Sequence, residues 1–103
     1  MSKRMLEKDV ERLLVQAIKR RGGLCLKWTC PGWVGVPDRI ILLPGARVLF
    51  VELKRPQGAK KGPLQDWWRD TIMRLGFEHR YIYTPEGVDR LEKDILLDQI
   101  MRR

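Results

Sequence analysis

The sequence predicts a small single-domain α/β fold, a mixed sheet flanked by helices, in the order α-β-β-β-α-β-α. Three observations carry that reading. Apolar residues recur at three- and four-residue spacing in three segments, near the beginning, past the middle and at the end. Between them lie short β-rich runs bounded by Gly and Pro. The run Val48 to Val51 is apolar on both faces, as a strand covered on both sides requires. At 103 residues the chain reads as one domain, 1–103. Folding at this size buries roughly 60–70% of the unfolded surface, enough for one modest core. A second domain, a barrel or a full dinucleotide-binding unit is not expected.

The elements follow in order. From Leu6 to Arg21, Leu6, Val10, Leu13, Leu14, Ala17 and Ile18 form one face of an amphipathic helix that Gly22-Gly23 stops. Leu24 to Cys30 reads as a strand. Pro31 to Pro37 is a loop, because two prolines and two glycines in seven residues defeat regular structure. Ile40–Leu43 and Arg47–Lys54 read as a hairpin about the Pro44-Gly45 turn. Arg55 to Gly62 is a polar, Lys- and Gly-rich loop. Pro63 opens a helix with Leu64, Trp67, Trp68, Thr71, Ile72 and Leu75 turned inward, closed by Gly76. Arg80–Tyr83 is a strand. Pro85 starts a last helix with Val88, Leu91, Ile95, Leu96 and Ile100 on its apolar face.

Lys and Arg number 21 against 13 Asp and Glu, a net charge of +8. A hydrophobic content of 44% shows that this basicity is not a mark of disorder. The surface favours a polyanionic partner, nucleic acid first. No apolar run approaches the ~20 residues of a membrane span, and no signal-peptide stretch opens the chain, so a cytoplasmic location is expected. Cys25 and Cys30 are five apart in one extended run and point to opposite faces. They read as reduced structural thiols, with no spacing for a zinc site.

The chemistry gathers in the hairpin. Asp38 stands at the entrance of its first strand, and Glu52 and Lys54 near the end of its second share one face. A carboxylate on a buried strand is costly unless it is paired or binds a metal. Glu52 and Lys54 alone make a plain ion pair. Residues 38 and 52 are, however, symmetric about the turn, which brings Asp38 opposite Glu52. Two facing carboxylates repel unless a cation lies between them. Oxygen ligands without His or Cys suit Mg²⁺ or Mn²⁺. Such an ion polarises a phosphoryl oxygen and lowers the pKa of bound water. Lys54 beside it orients that water or neutralises charge developing on a phosphate. The constellation is one for phosphodiester hydrolysis.

Gly35-Val36-Pro37-Asp38 followed by Glu52-Leu53-Lys54 resembles the PD-(D/E)xK signature of the restriction-endonuclease-like nucleases. With a glutamate on the first helix and Gln65 inside the helix after the motif, the chain resembles a stand-alone VRR-NUC module. These are virus-type replication-repair nucleases of phages and bacteria. The resemblance runs from about Glu7 to Tyr83. It implies a restriction-endonuclease-like α-β-β-β-α-β core and a Mg²⁺- or Mn²⁺-dependent DNA endonuclease. It also implies a homodimer that resolves four-way (Holliday) junctions. Asp38 and Glu52 would be metal ligands, with the Leu53 carbonyl and a first-helix glutamate adding oxygens. Lys54 would position the attacking water, and Gln65 would contact metal-bound water or the phosphate. Of the two first-helix acids, Glu7 lies nearer the centre of the apolar stripe. Glu11, in Val-Glu-Arg, looks like its counterpart in archaeal junction resolvases and is preferred.

Around this set, Arg55, Lys60 and Lys61 are either a phosphate-holding loop or a solvated one. Lys27 lies on the strand beside the site, within reach of a scissile phosphate. Trp33 is a base-stacking wedge or a packing residue. Of the adjacent Trp67 and Trp68, one is core and the other part-exposed, at a dimer interface or on nucleic acid. His79 reads as structural, and Arg102-Arg103 as frayed. Two other readings stand beside the resolvase: a flap or fork nuclease with the same site, and a non-catalytic basic DNA-binding module.

Overall fold

The computed structural model describes residues 7–53 and 63–102. The expectations placed on Leu6, Lys54, Arg55, Lys60, Lys61 and the rest of the 54–62 segment lie outside these residues. The elements are α1 (Glu7–Arg20), β1 (Leu24–Lys27), β2 (Arg39–Leu43), β3 (Arg47–Glu52), α2 (Pro63–Arg74), β4 (Glu78–Tyr81) and α3 (Pro85–Met101). The order and the mixed sheet agree with the sequence reading.

The sheet runs β1-β2-β3-β4, antiparallel except for the parallel β3–β4 pair. Gly45 and Ala46, both left-handed at φ 81° and 62°, reverse the chain between β2 and β3. The resulting register pairs Leu43 with Arg47 and Arg39 with Val51. Each pair sums to 90, so the expected symmetry about residue 45 holds to the strand ends.

One face of the sheet carries the core. Ile41, Leu49 and Val51 are fully buried there with Val10, Leu14 and Ile18 of α1 and Leu91 and Ile95 of α3. Each such side chain contributes about 2 kcal/mol through burial. Helix α3 starts cleanly because Pro85 has no amide to leave unpaired and the Thr84 hydroxyl accepts from the Gly87 N–H at 3.1 Å. Arg20 of α1 is tied to Glu92 of α3 through two hydrogen bonds of 3.0 and 2.7 Å.

Five expectations need correction. Strand β1 ends at Lys27, not Cys30, because Trp28 turns its ring onto Phe50 and Trp68 and the Pro31-Gly32 turn follows. Cys30 therefore lies beyond the strand, and face alternation does not apply to it. Strand β4 begins at Glu78 rather than Arg80 and stops at Tyr81, since its parallel partner sets the register from Leu49–Glu78 to Glu52–Tyr81. Glu78 is tolerated in the strand because Arg47 grips it at 2.7 and 2.9 Å. The inward face expected for α2 is mostly outward: Ile72 is buried, whereas Leu64, Trp67 and Leu75 are exposed. On α3, likewise, Leu96 and Ile100 lie at the surface. Finally, Arg102 is held, with its guanidinium Nε 2.9 Å from Asp98 Oδ2 and its amide bonded into the helix end.

Candidate active site

Asp38 is fixed twice. Its carbonyl accepts from the Trp28 amide at 3.0 Å, which prolongs the β1–β2 ladder by one bond. Its carboxylate Oδ2 accepts from the Leu53 amide at 2.7 Å. Pro37 before it is fully buried, which seats the loop against the body. The carboxylate thus crosses to the strand that carries Glu52, where the register arithmetic aims it.

Glu52 is the buried charged side chain among the described residues, 2% exposed. Gln65, in the first turn of α2, donates from Nε2 to Glu52 Oε2 at 2.7 Å. The amide orients the carboxylate and adds no charge of its own. Asp66, next on α2, accepts from the Tyr81 hydroxyl at 2.9 Å and fixes that helix end above β4. The Leu53 carbonyl belongs to the same turn of chain that meets Asp38. Lys54 lies outside the described residues.

Beside Asp38 opens a cleft of about 280 Å³ lined by Glu7, Glu11, Lys27, Trp28, Thr29 and Asp38. Both first-helix acids reach it, and so does Lys27. The two acids differ in their bonding. Glu11 Oε2 accepts from Arg39 Nε at 2.9 Å and Nη2 at 2.6 Å, while Arg39 Nη1 reaches the Cys25 carbonyl at 3.0 Å. Glu11 is thereby locked onto the residue that follows Asp38, whereas Glu7 is exposed at the helix start. Trp33 lies apart from this cleft, in an apolar cavity with Trp67 and Trp68. His79 packs edge-on against Tyr81 at 4.9 Å. Cys25 is a free thiol pushed up to about 11, chiefly by burial.

Two residues escaped the sequence reading. Arg39 reads as one more basic residue, and its partner Glu11 is 28 positions away. Tyr83 reads as a strand residue, yet its hydroxyl is buried without a hydrogen-bond partner among the described residues. Burial first, then the charges of Glu52, Asp66 and Asp38, pushes its pKa up to about 12. The signal available was parity: Tyr81 and Tyr83 alternate onto the Glu52 face.

The donors suit a hard divalent cation. Asp38 and Glu52 offer oxygen only, and among the described residues no group of three or more His, Cys, Asp or Glu gathers that could hold a metal ion.

The chain was compared with known proteins. No family model matches it. It is 41% identical over 72 residues to the protein named "Putative nuclease p44" of Acyrthosiphon pisum secondary endosymbiont phage 1, an alignment covering 70% of this chain and 76% of that relative. A solved VRR-NUC domain superposes with a TM-score of 0.77 at 26% identity, covering 84% of this chain and 94% of the other. The fold, the hairpin-borne carboxylates and these two likenesses agree, and the chain belongs to the VRR-NUC family of nucleases.

Proposed function

We propose that the protein is a Mg²⁺- or Mn²⁺-dependent endonuclease that cuts branched DNA, resolving four-way junctions as a symmetric homodimer. The observation that carries this reading is the hairpin register, which sets a doubly anchored Asp38 beside the buried carboxylate of Glu52. In this proposal Asp38, Glu52 and the Leu53 carbonyl hold the metal, with Glu11 adding an oxygen or, through Arg39, bracing Asp38. The ion when bound supplies Lewis-acid polarisation of the phosphate and a more acidic water. Gln65 holds Glu52 in orientation. Lys54 steadies charge on the phosphate, while Lys27, Arg55, Lys60 and Lys61 hold the backbone.

Two features favour a dimer on a branched polyanion. The net charge of +8 supplies attraction independent of base sequence. On the sheet face opposite the core, the cross-strand partners Leu24 and Leu42 and their neighbour Leu26 are exposed. A second copy would cover them, and two-fold symmetry would give the paired cuts a junction requires.

The test is a cleavage assay on a synthetic four-way junction with Mg²⁺ or Mn²⁺, with linear duplex, flap and fork substrates alongside. Symmetric junction nicking is expected, with binding that weakens steeply as salt rises. Asp38→Ala and Glu52→Gln should each lower cleavage by more than about a hundredfold while binding persists, since even outer-shell changes at metal sites cost 10–100-fold. Preferred cutting of flaps or forks would reassign the substrate. Tight binding with no cleavage of any substrate in either metal would overturn the enzymatic reading and leave a binding module.

A further inference from the structure

The cavity of about 270 Å³ lined by Gly32, Trp33, Val34, Leu64, Trp67 and Trp68 stands outside the machinery described so far. Its walls carry no charged side chain. Trp33 and Trp67 are large apolar residues left 59% and 48% exposed. Both rings stand nearly perpendicular to Trp68, at 74° with centroids 5.7 Å apart and at 86° with centroids 5.1 Å apart. The cavity is braced rather than soft. The Trp68 indole N–H donates to the Val34 carbonyl at 2.9 Å, and the Trp33 amide bonds to the Cys30 carbonyl at 3.0 Å. Gly35 lets the loop come so close to α2 that an added Cβ would sit 2.9 Å from Leu64 Cβ.

Its position is continuous with the candidate active site. Trp68 packs edge-on against Trp28 at 5.7 Å, and Trp28 lines the cleft that holds Asp38. The loop that carries Trp33 runs directly into Asp38. Leu64, on the cavity wall, precedes Gln65, which holds Glu52. A cavity of this size is too small for a helix or strand of a partner and large enough for one heterocyclic ring. The exposed leucines of the sheet give a second copy of the chain a separate and flatter surface. A neutral aromatic slot, opening beside a site for phosphates on a basic protein, fits a base and rejects the backbone.

We propose that this cavity is a nucleobase subsite, which takes one unstacked base from the strand whose phosphate lies at Asp38 and Glu52. The inference rests on the nucleic-acid reading above but not on catalysis. It lets the protein favour DNA in which a base beside the branch point is unpaired or readily unstacked, because taking that base out then costs less.

The test is binding without cleavage, in Ca²⁺ or EDTA. The full chain is titrated with forks carrying 2-aminopurine at successive unpaired positions from the branch, and with matched forks that are abasic there. At one position the base-bearing fork should bind about five- to a hundredfold tighter than the abasic one, with the 2-aminopurine emission quenched. Trp67→Ala and Trp33→Ala should abolish that difference, and Trp67→Phe should restore most of it. Equal affinity for base and abasic forks at every position overturns the proposal. So does an equal loss on both forks in the variants, or a change in sedimenting mass in Trp67→Ala with discrimination intact, which would make the cavity a protein interface. If cleavage fails in every substrate while base discrimination holds, the subsite stands and only the catalytic reading falls.

Discussion

Tyr83 shows what one side chain does at this site. Its hydroxyl is buried with no hydrogen-bond partner among the described residues, in the field of Glu52, Asp66 and Asp38. A buried hydroxyl without a partner costs at least about 1 kcal/mol, so removing it should stabilise the fold by that amount. Tyr83→Phe should raise the melting temperature by about 5 °C in a domain of this length. A comparable fall would show that the hydroxyl holds a bound water or ion. The placement of Asp38 across the hairpin from Glu52 was legible in the sequence because a tight turn fixes hairpin register, and register is arithmetic. The Arg39–Glu11 lock was not, because it joins residues from separate elements and depends on how α1 lies across β1 and β2. For the same reason the sequence prefers Glu11 to Glu7 on likeness alone, while the structure shows the bonds that hold Glu11.

The loop from Trp28 to Asp38 acts as a unit with α2. Gly35 sits at φ 82°, a left-handed conformation that costs a residue with a Cβ about 1–2 kcal/mol, and here the Cβ would also meet Leu64. Gly35→Ala should therefore lower stability by about 2 kcal/mol in urea unfolding, with the Trp68 environment visibly altered by fluorescence. An unchanged midpoint would mean that the loop does not need this close approach. The strand boundaries were the least legible elements. β1 was read three residues too long because Trp28, Thr29 and Cys30 are acceptable strand formers whose fate depends on the Phe50 and Trp68 rings. α2 was read as facing inward because its spacing is amphipathic. Its apolar stripe instead lines the tryptophan cavity and the surface, since the sheet beneath offers it only a narrow strip beside β4.

Across the molecule, acidic side chains are used as ties. Arg47 bonds Glu78 on β4 and reaches Asp98 on α3 at 3.3 Å, while Arg80 pairs with Asp94 and Arg20 with Glu92. Hydrogen bonds from Arg20 and Arg80 hold the Glu92 and Asp94 carboxyls below their ordinary range. Both groups bind protons less readily folded than unfolded. Their stabilisation is thus present above the usual carboxylate pKa of about 4 and lost as pH falls through the lowered folded values. Denaturant midpoints should be flat from pH 7 to about pH 5 and decline below about pH 4. The decline should be modest, because these pairs are partly exposed and screened by solvent. A midpoint that rises on acidification would contradict it.

The order of elements, the hairpin register and the placement of Asp38 across the hairpin from Glu52 follow from local rules: apolar periodicity, turn chemistry and the two-residue alternation of strands. These rules act over neighbours along the chain, so they can be read from the sequence. The net charge of +8 is likewise a sum and needs no fold. The anchoring of Asp38 on the Leu53 amide, the burial of Tyr83, the Arg39 lock on Glu11 and the gathering of Trp33, Trp67 and Trp68 into one cavity are of another kind. Each brings together residues far apart in the chain whose meeting depends on the packing of helices on the sheet. Many side chains of similar character compete for those places, and close packing selects among them.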